Sequence, residues 1–156
     1  MAANTGTKLK PLRFVRTFRI TNASDGKVEF ELDITKDHTN RLKIIHGGTI
    51  ASLVDLGGSL AVASKGLYAT GVSTDLTVSY ISSGGKVGDT LRGTAVCDKM
   101  GKTLAYTQVT FWDKQRNLVA RGSHTKFVVH AIASSTPFTP PEGAPIAEDG
   151  DPSQSQ

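Results

Sequence analysis

Cysteine and long apolar runs are scarce in this chain of 156 residues. The single cysteine, Cys97, excludes an internal disulfide framework and any zinc site built on paired thiolates, and it fits a reducing compartment. No apolar run approaches the roughly 18 residues that a membrane-spanning helix needs. Aromatic residues make up only 6% of the chain and are not interleaved with basic residues, as they are in nucleic-acid platforms. The sequence therefore predicts neither a membrane span nor a nucleic-acid partner.

Positive charge is unevenly distributed along the chain. Residues 133–156 contain four acidic residues and no Lys or Arg, so residues 1–132 carry 18 basic side chains against 10 acidic ones. Such an excess favours an anionic partner, whether nucleic acid, a membrane surface or a phosphorylated small molecule. Charge alone does not choose among these partners, and a well-solvated surface explains it equally well.

Proline is concentrated at one end of the sequence. Five of the six prolines lie in the last 20 residues, among Ser, Thr, Gly and acidic residues. This composition predicts a disordered acidic tail over 133–156, one domain over 13–132 and a flexible leader over 1–12. Residues 1–20 hold five basic residues and no acid, a composition shared with mitochondrial presequences. A cytoplasmic location is therefore expected, with the mitochondrion as the alternative.

Hydrophobic periodicity predicts six strands and one long helix. A turn at Asp25–Gly26 joins a first strand, around 14–20, to a second strand, 27–34, in which apolar and charged residues alternate. Residues 48–65 form the one stretch long enough for a substantial helix. Four strand-like runs follow, at 72–80, 90–98, 104–112 and 118–129. This order predicts an α+β fold in which an antiparallel sheet of about six strands wraps around the helix, and its second face favours dimerisation.

The segment Ile44-Ile45-His46-Gly47-Gly48 leads directly into the predicted helix. Its two glycines allow a sharp turn and a close approach of the backbone to a ligand. The first turn of a helix also offers unpaired N–H groups and the positive end of the dipole, which suit a bound anion or a developing oxyanion. An ordinary strand-to-helix turn with Thr49 near the cap is the competing interpretation.

A polar stripe with one carboxylate follows on the helix. Four polar residues share one face at helical spacing: Thr49, Ser52, Asp55 and Ser59. The stripe either faces water or lines a cleft in which Asp55 acts as a base or a nucleophile. The pair Gly57-Gly58 costs about 1 kcal/mol per glycine relative to Ala. A close approach by another backbone or by a ligand would explain that cost.

Helix geometry constrains how Gly47 and Asp55 could act together. They are eight residues apart, which is about 12 Å along a helix at 1.5 Å per residue. Both therefore reach one carbonyl carbon only if one of them comes from a second subunit whose helix packs antiparallel to the first. A catalytic role for both predicts an obligate oligomer with shared sites.

The remaining motifs indicate neither a catalytic site nor a metal site. Residues 84–90 are rich in glycine but lack the Gly-Lys-Ser/Thr of a P-loop, so a hairpin loop is expected there. Cys97 is expected in the core as a small apolar residue. The histidines, at positions 38, 46, 124 and 130, show no metal-ligand spacing, and no metal is expected.

Five sequence blocks occur in the order and spacing of a known enzyme family. The blocks are His38-Thr39-Asn40, His46–Asp55, Gly71–Tyr80, Gly101–Ala105 and Gly122–Lys126. They resemble the hotdog-fold acyl-CoA thioesterases, in the group of acyl-coenzyme A thioesterase 13 and the PaaI-like thioesterases, over roughly residues 13–128. The resemblance implies a hotdog fold, hydrolysis of fatty acyl-CoA, and a homotetramer, a dimer of dimers, with sites shared between subunits. Because coenzyme A is part of the substrate, no separate cofactor is expected.

The resemblance also implies roles for individual residues. Asn40 and His46 would shape the pocket near the thioester, and the Gly47 N–H would polarise its carbonyl. Asp55 of the facing subunit would be the catalytic carboxylate, with Ser73 positioning the attacking water. Contacts to coenzyme A are implied for Lys36, Ser73, Asp75, Tyr80, Ile81, Ser82, Ser83, Gly84, Gly85, Lys99, Met100, Gly101, Lys102, Thr103, Leu104 and Phe127.

Alternatives stay open on the sequence alone. Direct attack by Asp55 on the carbonyl competes with its action as a general base. A hotdog hydratase would set a His against a carboxylate in one pocket, whereas here Asp55 follows His46 by nine residues, the thioesterase pattern. A non-catalytic acyl-CoA binder and an aryl-CoA thioesterase, acting on phenylacetyl- or hydroxybenzoyl-CoA, are further alternatives. Gly57-Gly58 and the basic Arg41-Leu42-Lys43 depart from close relatives, which leaves the acyl-chain preference open.

Overall fold

The computed structural model describes residues 17–135, so the predicted leader and residues 136–156 of the predicted tail lie outside the described part. The chain order of strands and helices is as the periodicity predicts. The elements are β1 (Phe18–Ser24), β2 (Lys27–Asp33), a 3₁₀ turn (Lys36–His38), α1 (Gly47–Ala63), β3 (Val72–Tyr80), β4 (Thr90–Met100), β5 (Leu104–Trp112), β6 (Leu118–Phe127) and a short α2 (Val129–Ala133).

All six strands form one antiparallel sheet in the order β1-β2-β4-β5-β6-β3. The predicted hairpin at Asp25–Gly26 is confirmed, but the hairpin loop predicted at 84–90 is wrong. β3 pairs with β6 at the sheet edge, while β4 lies between β2 and β5. Residues 81–89 therefore cross over, and Ile45 N–H donates to Gly85 O at 2.9 Å to hold the crossing segment. Turn composition shows that a chain reverses, but not which strand it then joins.

Helix α1 lies across one face of the sheet and supplies much of the core. Its buried apolar side chains are Ile50, Leu53, Val54, Ala61 and Val62, and they join the sheet residues Phe30, Leu91, Val109 and Phe111 in one cluster. The predicted antiparallel sheet around a long helix is confirmed, as is burial of Cys97, which is 7% exposed. Leu60 of the same helix is only half-buried.

The two helix glycines allow α1 to approach the sheet closely. A Cβ at Gly57 would lie 3.1 Å from the Phe30 ring, and a Cβ at Gly58 would lie 2.6 Å from both His124 Nδ1 and Thr107 Oγ1. The sequence left open whether a backbone or a ligand explains this pair. Side chains of the sheet explain it, because they occupy the space that a larger helix residue would need.

The β3 edge of the sheet carries exposed apolar side chains. Val72 is 64% exposed, Leu76 39%, Tyr80 55% and Ile81 53%. Within residues 17–135, no other strand pairs with the outer side of β3. An apolar edge with unpaired backbone groups is a surface that another chain can cover.

In the described part of the chain, no helix is long and apolar enough to cross a membrane.

The outer face of the sheet is polar around β1, β2 and β4. Arg19 pairs with Glu31 at 2.6 Å and with Asp33 at 2.5 Å, and Arg92 pairs with Glu31 at 3.0 Å. Such exposed pairs contribute little stability, so this face is solvated rather than part of the core.

Candidate active site

The N-terminus of α1 presents a backbone donor without an acceptor. His46 has extended dihedrals (φ −73°, ψ 138°), and its Nδ1 accepts the Gly48 N–H at 2.8 Å. His46 is therefore the cap, and Thr49 follows it by three residues, with its N–H donating to His46 O at 2.9 Å. No group within residues 17–135 accepts the Gly47 N–H. An unsatisfied N–H at the positive end of a helix is suited to hold an oxyanion.

Tyr80 fixes the position of Gly47. Its hydroxyl donates to Gly47 O at 2.8 Å, and a Cβ at Gly47 would lie 3.3 Å from its ring. Tyr80 ends β3, so the sheet edge and the helix start are held together. This contact places one predicted coenzyme A residue directly beside the predicted oxyanion donor.

Asn40 organises the turn that precedes the helix. Its Oδ1 accepts the N–H groups of Leu42, at 2.9 Å, and Ile44, at 3.4 Å. Its Nδ2 donates to no group in the described part of the chain. Asn40 and His46 line one cavity, as expected for residues that share a pocket. A side-chain amide with a free donor is suited to bind a carbonyl oxygen.

The polar stripe of α1 meets the sheet at a three-residue cluster. Ser73 Oγ lies 3.2 Å from Asp55 Oδ1 and 2.8 Å from His124 Nε2, and His124 Nε2 lies 3.2 Å from Asp55 Oδ1. Asp55 is 57% exposed at its side chain, while His124 is fully buried. A bulge between Ser73 and Asp75 separates the faces of these two residues on β3. The cluster therefore presents one accessible carboxylate, Asp55, whose Oδ1 contacts Ser73 and the buried His124.

The protonation of the cluster follows from its geometry. Burial, assisted by the Lys126 charge, lowers the pKa of His124 below its usual value, although the Asp55 charge acts in the opposite direction. His124 is then neutral at pH 7. An ionised carboxylate only accepts, so the proton of His124 lies on Nε2. Ser73 accepts from His124 and donates to Asp55, and His124 Nδ1 is buried without a hydrogen-bond partner in residues 17–135.

A second buried basic group lies beside the cluster. Lys126 is 3% exposed and its Nζ donates to Ser59 Oγ at 2.9 Å. Burial lowers the pKa of Lys126, and the Asp55 charge opposes that shift. Lys126 thus places positive charge on the buried side of the polar stripe of α1, where it contacts Ser59. No group of three or more His, Cys, Asp or Glu in the described ranges could hold a metal ion.

Within one chain, Gly47 and Asp55 lie too far apart to contact the same carbonyl carbon. Helix α1 is continuous from Gly47 to Asp55, so about 12 Å separates the two at 1.5 Å per residue. The Gly47 half contains Asn40, His46 and Tyr80. The Asp55 half contains Ser73 and His124, at the other end of β3.

The predicted coenzyme A residues divide in the same way. Lys36 and Tyr80–Gly85 lie at the Gly47 end, whereas Lys99–Leu104 and Phe127 lie at the Ser73 end, where Phe127 is in register with Val72. The nine residues of β3 place these groups about 26 Å apart at 3.3 Å per residue. Gly84 is buried against Ile45, so its lack of a side chain serves packing. Within one chain, the two groups therefore lie at opposite ends of β3.

His124 and Lys126 are the site residues that sequence reasoning missed. Both lie in the block Gly122–Lys126, in which alternate residues of β6 face α1. The period of two was visible in the sequence. The partners were not, because they depend on the register of β6 with β3 and on the closeness of α1 that Gly58 permits.

Comparisons with known proteins identify the family. The sequence profile of the Thioesterase superfamily matches residues 42–120. A Schizosaccharomyces pombe protein named as an esterase is 44% identical over 118 residues, which cover 76% of this chain and 73% of that protein. Human acyl-coenzyme A thioesterase 13 is 37% identical over 115 residues, which cover 73% and 81% of the two chains.

Solved structures agree with these relatives. Zebrafish thioesterase superfamily member 2 superposes with a TM-score of 0.70 at 35% identity, covering 76% of this chain and 87% of that one. A Streptococcus pneumoniae thioesterase protein with coenzyme A superposes with a TM-score of 0.67 at 26% identity, covering 72% and 85%. The fold, the profile match and these identities show that the chain belongs to the thioesterase superfamily.

Proposed function

We propose that this thioesterase hydrolyses acyl-CoA, with medium- to long-chain fatty acyl groups, to the free acid and coenzyme A. The observation that carries the proposal is the exposed Asp55 carboxylate, which Ser73 and His124 hold from the buried side. The name of the human relative and the coenzyme A in the Streptococcus pneumoniae structure support the substrate class. The basic excess of residues 1–132 suits a substrate with several phosphates.

The active site is completed by a second copy of the chain. If two β3 edges pair antiparallel, the start of one strand lies opposite the end of the other. Ser73 and Asp55 of one copy then approach Tyr80 and Gly47 of the other. The exposed apolar side chains of β3 support this arrangement, because pairing covers them and removes an open edge. Two such dimers would form the tetramer.

Hydrolysis then uses both halves. The Gly47 N–H stabilises the oxyanion that forms as water attacks the thioester carbonyl, an effect of about 3–4 kcal/mol for one good donor. Asp55 takes the water proton as the new C–O bond forms. The tetrahedral intermediate collapses, the C–S bond breaks, and Asp55 returns the proton to the leaving thiolate. Ser73 donates to Asp55 and keeps the carboxylate oriented toward the water.

General-base action is preferred here over direct attack by Asp55. The contacts from Ser73 and His124 fix the orientation of Asp55 Oδ1, which suits a carboxylate that takes a proton from a positioned water. A single turnover in H₂¹⁸O tests this choice by mass spectrometry. General-base action puts the label only into the acid product. Direct attack forms an anhydride, and water that attacks the Asp55 carbon of that anhydride leaves label on Asp55.

The enzyme class is tested by thiol release from a panel of short, medium, long and aromatic acyl-CoAs. The proposal expects turnover of the fatty acyl-CoAs and at least a thousandfold loss in Asp55→Ala, because the group that activates water is removed. Thermal melting checks the fold of the variant, which should be unchanged since Asp55 is largely exposed. Cleavage of aromatic acyl-CoAs alone would instead identify an aryl-CoA thioesterase. Tight binding of acyl-CoA without turnover would identify a binding protein.

A further inference from the structure

A cavity of about 1090 Å³ opens beside the start of α1 and is lined by four cationic side chains. They are Lys36, Arg41, Lys43 and Lys86. Asn40 and His46 line the same cavity, so it adjoins the Gly47 half of the proposed site. Only Lys36 was expected to bind substrate. Arg41, Lys43 and Lys86 have no function in hydrolysis as described above.

The charges of these side chains are not neutralised locally. None of the four forms an ion pair with any acid in residues 17–135. Asp89 is the acid placed to neutralise Lys86, but its carboxylate accepts the Lys86 backbone N–H at 3.0 Å and pairs with Lys114 Nζ at 2.9 Å. Asp37 follows Lys36 in the chain and does not line the cavity. All four side chains are exposed and form no ion pair in the described part of the chain, so they are available to an anion that enters the cavity.

The turn that carries two of these cations is rigid. Asn40 Oδ1 accepts two backbone N–H groups of the turn, and Lys43 N–H donates to Asn40 O at 2.9 Å. Lys43 has φ 61°, a left-handed conformation that costs a non-glycine residue about 1–2 kcal/mol. This conformation closes the turn between Asn40 and Ile44, in which the Asn40 N–H donates to Ile44 O at 2.9 Å. Arg41 and Lys43 are thereby presented on a fixed loop next to Asn40.

We propose that this basic cavity is a subsite for an anionic group of the thioester substrate, with Arg41 and Lys43 as its main ligands. The inference rests on the proposed thioesterase function and extends it to substrate selection. Two sources supply such an anion: the phosphates of coenzyme A, or a carboxylate at the far end of the acyl group. Either source would be recognised by charge-assisted hydrogen bonds from Arg41 and Lys43.

The experiment compares Arg41→Gln/Lys43→Gln with a matched control, Arg116→Gln/Arg121→Gln, which removes two exposed cations that form no ion pair within residues 17–135 and do not line the cavity. Substrates are butyryl and succinyl thioesters, each carried on coenzyme A and on N-acetylcysteamine, which lacks phosphates. We expect kcat/KM of the cavity variant to fall about tenfold or more for the substrates that carry the anion bound by the cavity, as the loss of hydrogen bonds to a charged group implies. The control should lose less than about twofold, since exposed charges act weakly.

The substrates for which kcat/KM falls identify the anion that the cavity binds. A loss for both coenzyme A thioesters, absent for N-acetylcysteamine thioesters, assigns the cavity to the phosphates. A loss for both succinyl thioesters, absent for both butyryl ones, assigns it to an acyl carboxylate. Equal behaviour of the cavity and control variants would overturn the proposal, as would an equal loss for butyryl-N-acetylcysteamine, which carries no anion.

Calorimetric titration with coenzyme A, pyrophosphate and succinate measures anion binding to the cavity without requiring catalytic activity. Failure of the wild-type protein to cleave any thioester would refute the proposed function, yet tighter binding of one of these anions to wild type than to the cavity variant would still support the subsite. Equal binding to both proteins, or no binding to either, would contradict it.

Discussion

The variant His124→Leu should lower the catalytic rate while leaving the free energy of unfolding nearly unchanged. The hydrogen bond between His124 Nε2 and Ser73 Oγ contributes about 0.5–1.5 kcal/mol, but the buried Nδ1 without a partner costs about 1–3 kcal/mol. Since Leu is apolar and removes both terms, the free energy of unfolding should change by less than about 1 kcal/mol. The rate should still fall, because Ser73 and Asp55 lose the contact that orients them. We expect kcat to drop about 10- to 100-fold, the scale of a small misplacement of a catalytic group.

The assay is steady-state thiol release together with urea unfolding. His124→Gln is the matched variant, because its amide N–H can take the place of His124 Nε2–H and still donate to Ser73. It should recover most of the activity. The reasoning would be refuted by unchanged kcat in His124→Leu, or by a loss of several kcal/mol in stability with kcat per folded molecule intact, which would make His124 a packing residue only.

Three further predictions address stability and binding. Burial lowers the pKa of both His38 and His124, so the unfolded chain takes up protons below about pH 6.5 that the native state does not. The free energy of unfolding should therefore fall from pH 7 to pH 5, and His124→Leu should fall less; equal losses would contradict the assigned burial. Gly57→Ala and Gly58→Ala each gain about 1 kcal/mol of helix propensity, but the Gly58 Cβ meets two atoms at 2.6 Å, which costs about 1–3 kcal/mol. Urea unfolding should therefore find Gly58→Ala the less stable variant, and the reverse order would count against the close approach of α1. Lys102→Ala should raise KM for acyl-CoA more at low salt than at high salt, and an unchanged KM at low salt would remove Lys102 from the coenzyme A site.

The elements that follow from local pattern were predicted well. Alternation predicts β2, and α1 begins one residue before the expected Gly48 because His46 takes the cap. The run predicted over 118–129 ends as a strand at Phe127, where Val129 starts α2. In each case the information lies within a few residues of the element.

The features that depend on distant pairing were not predictable in the same way. The crossover after β3 has the glycine-rich composition of a hairpin loop, and only the pairing of β3 with β6 shows that it is not one. His124 has no distinctive neighbour in sequence, and its function depends on the register that brings β6 beside β3. The site shared between two chains stays a prediction, and it needs no distant pairing: two chains are required if Gly47 and Asp55, eight residues apart on one helix, act on one carbonyl carbon.

The most direct test of the central claim mixes two inactive variants. Asp55→Ala removes the carboxylate, and Gly47→Pro removes the backbone N–H; Pro is tolerated at the first helical position, and His46 already has the extended conformation that must precede Pro. Gly47→Ala, which keeps the N–H, is the control for the added side-chain bulk near Tyr80. In a mixed dimer with shared sites, one site combines the intact Gly47 of one chain with the intact Asp55 of the other. Co-refolding equal amounts should therefore restore about one quarter of wild-type activity, since half of the dimers are mixed and each has one good site. No recovery, in dimers shown to be mixed, would place both groups of a working site in the same chain and contradict the account.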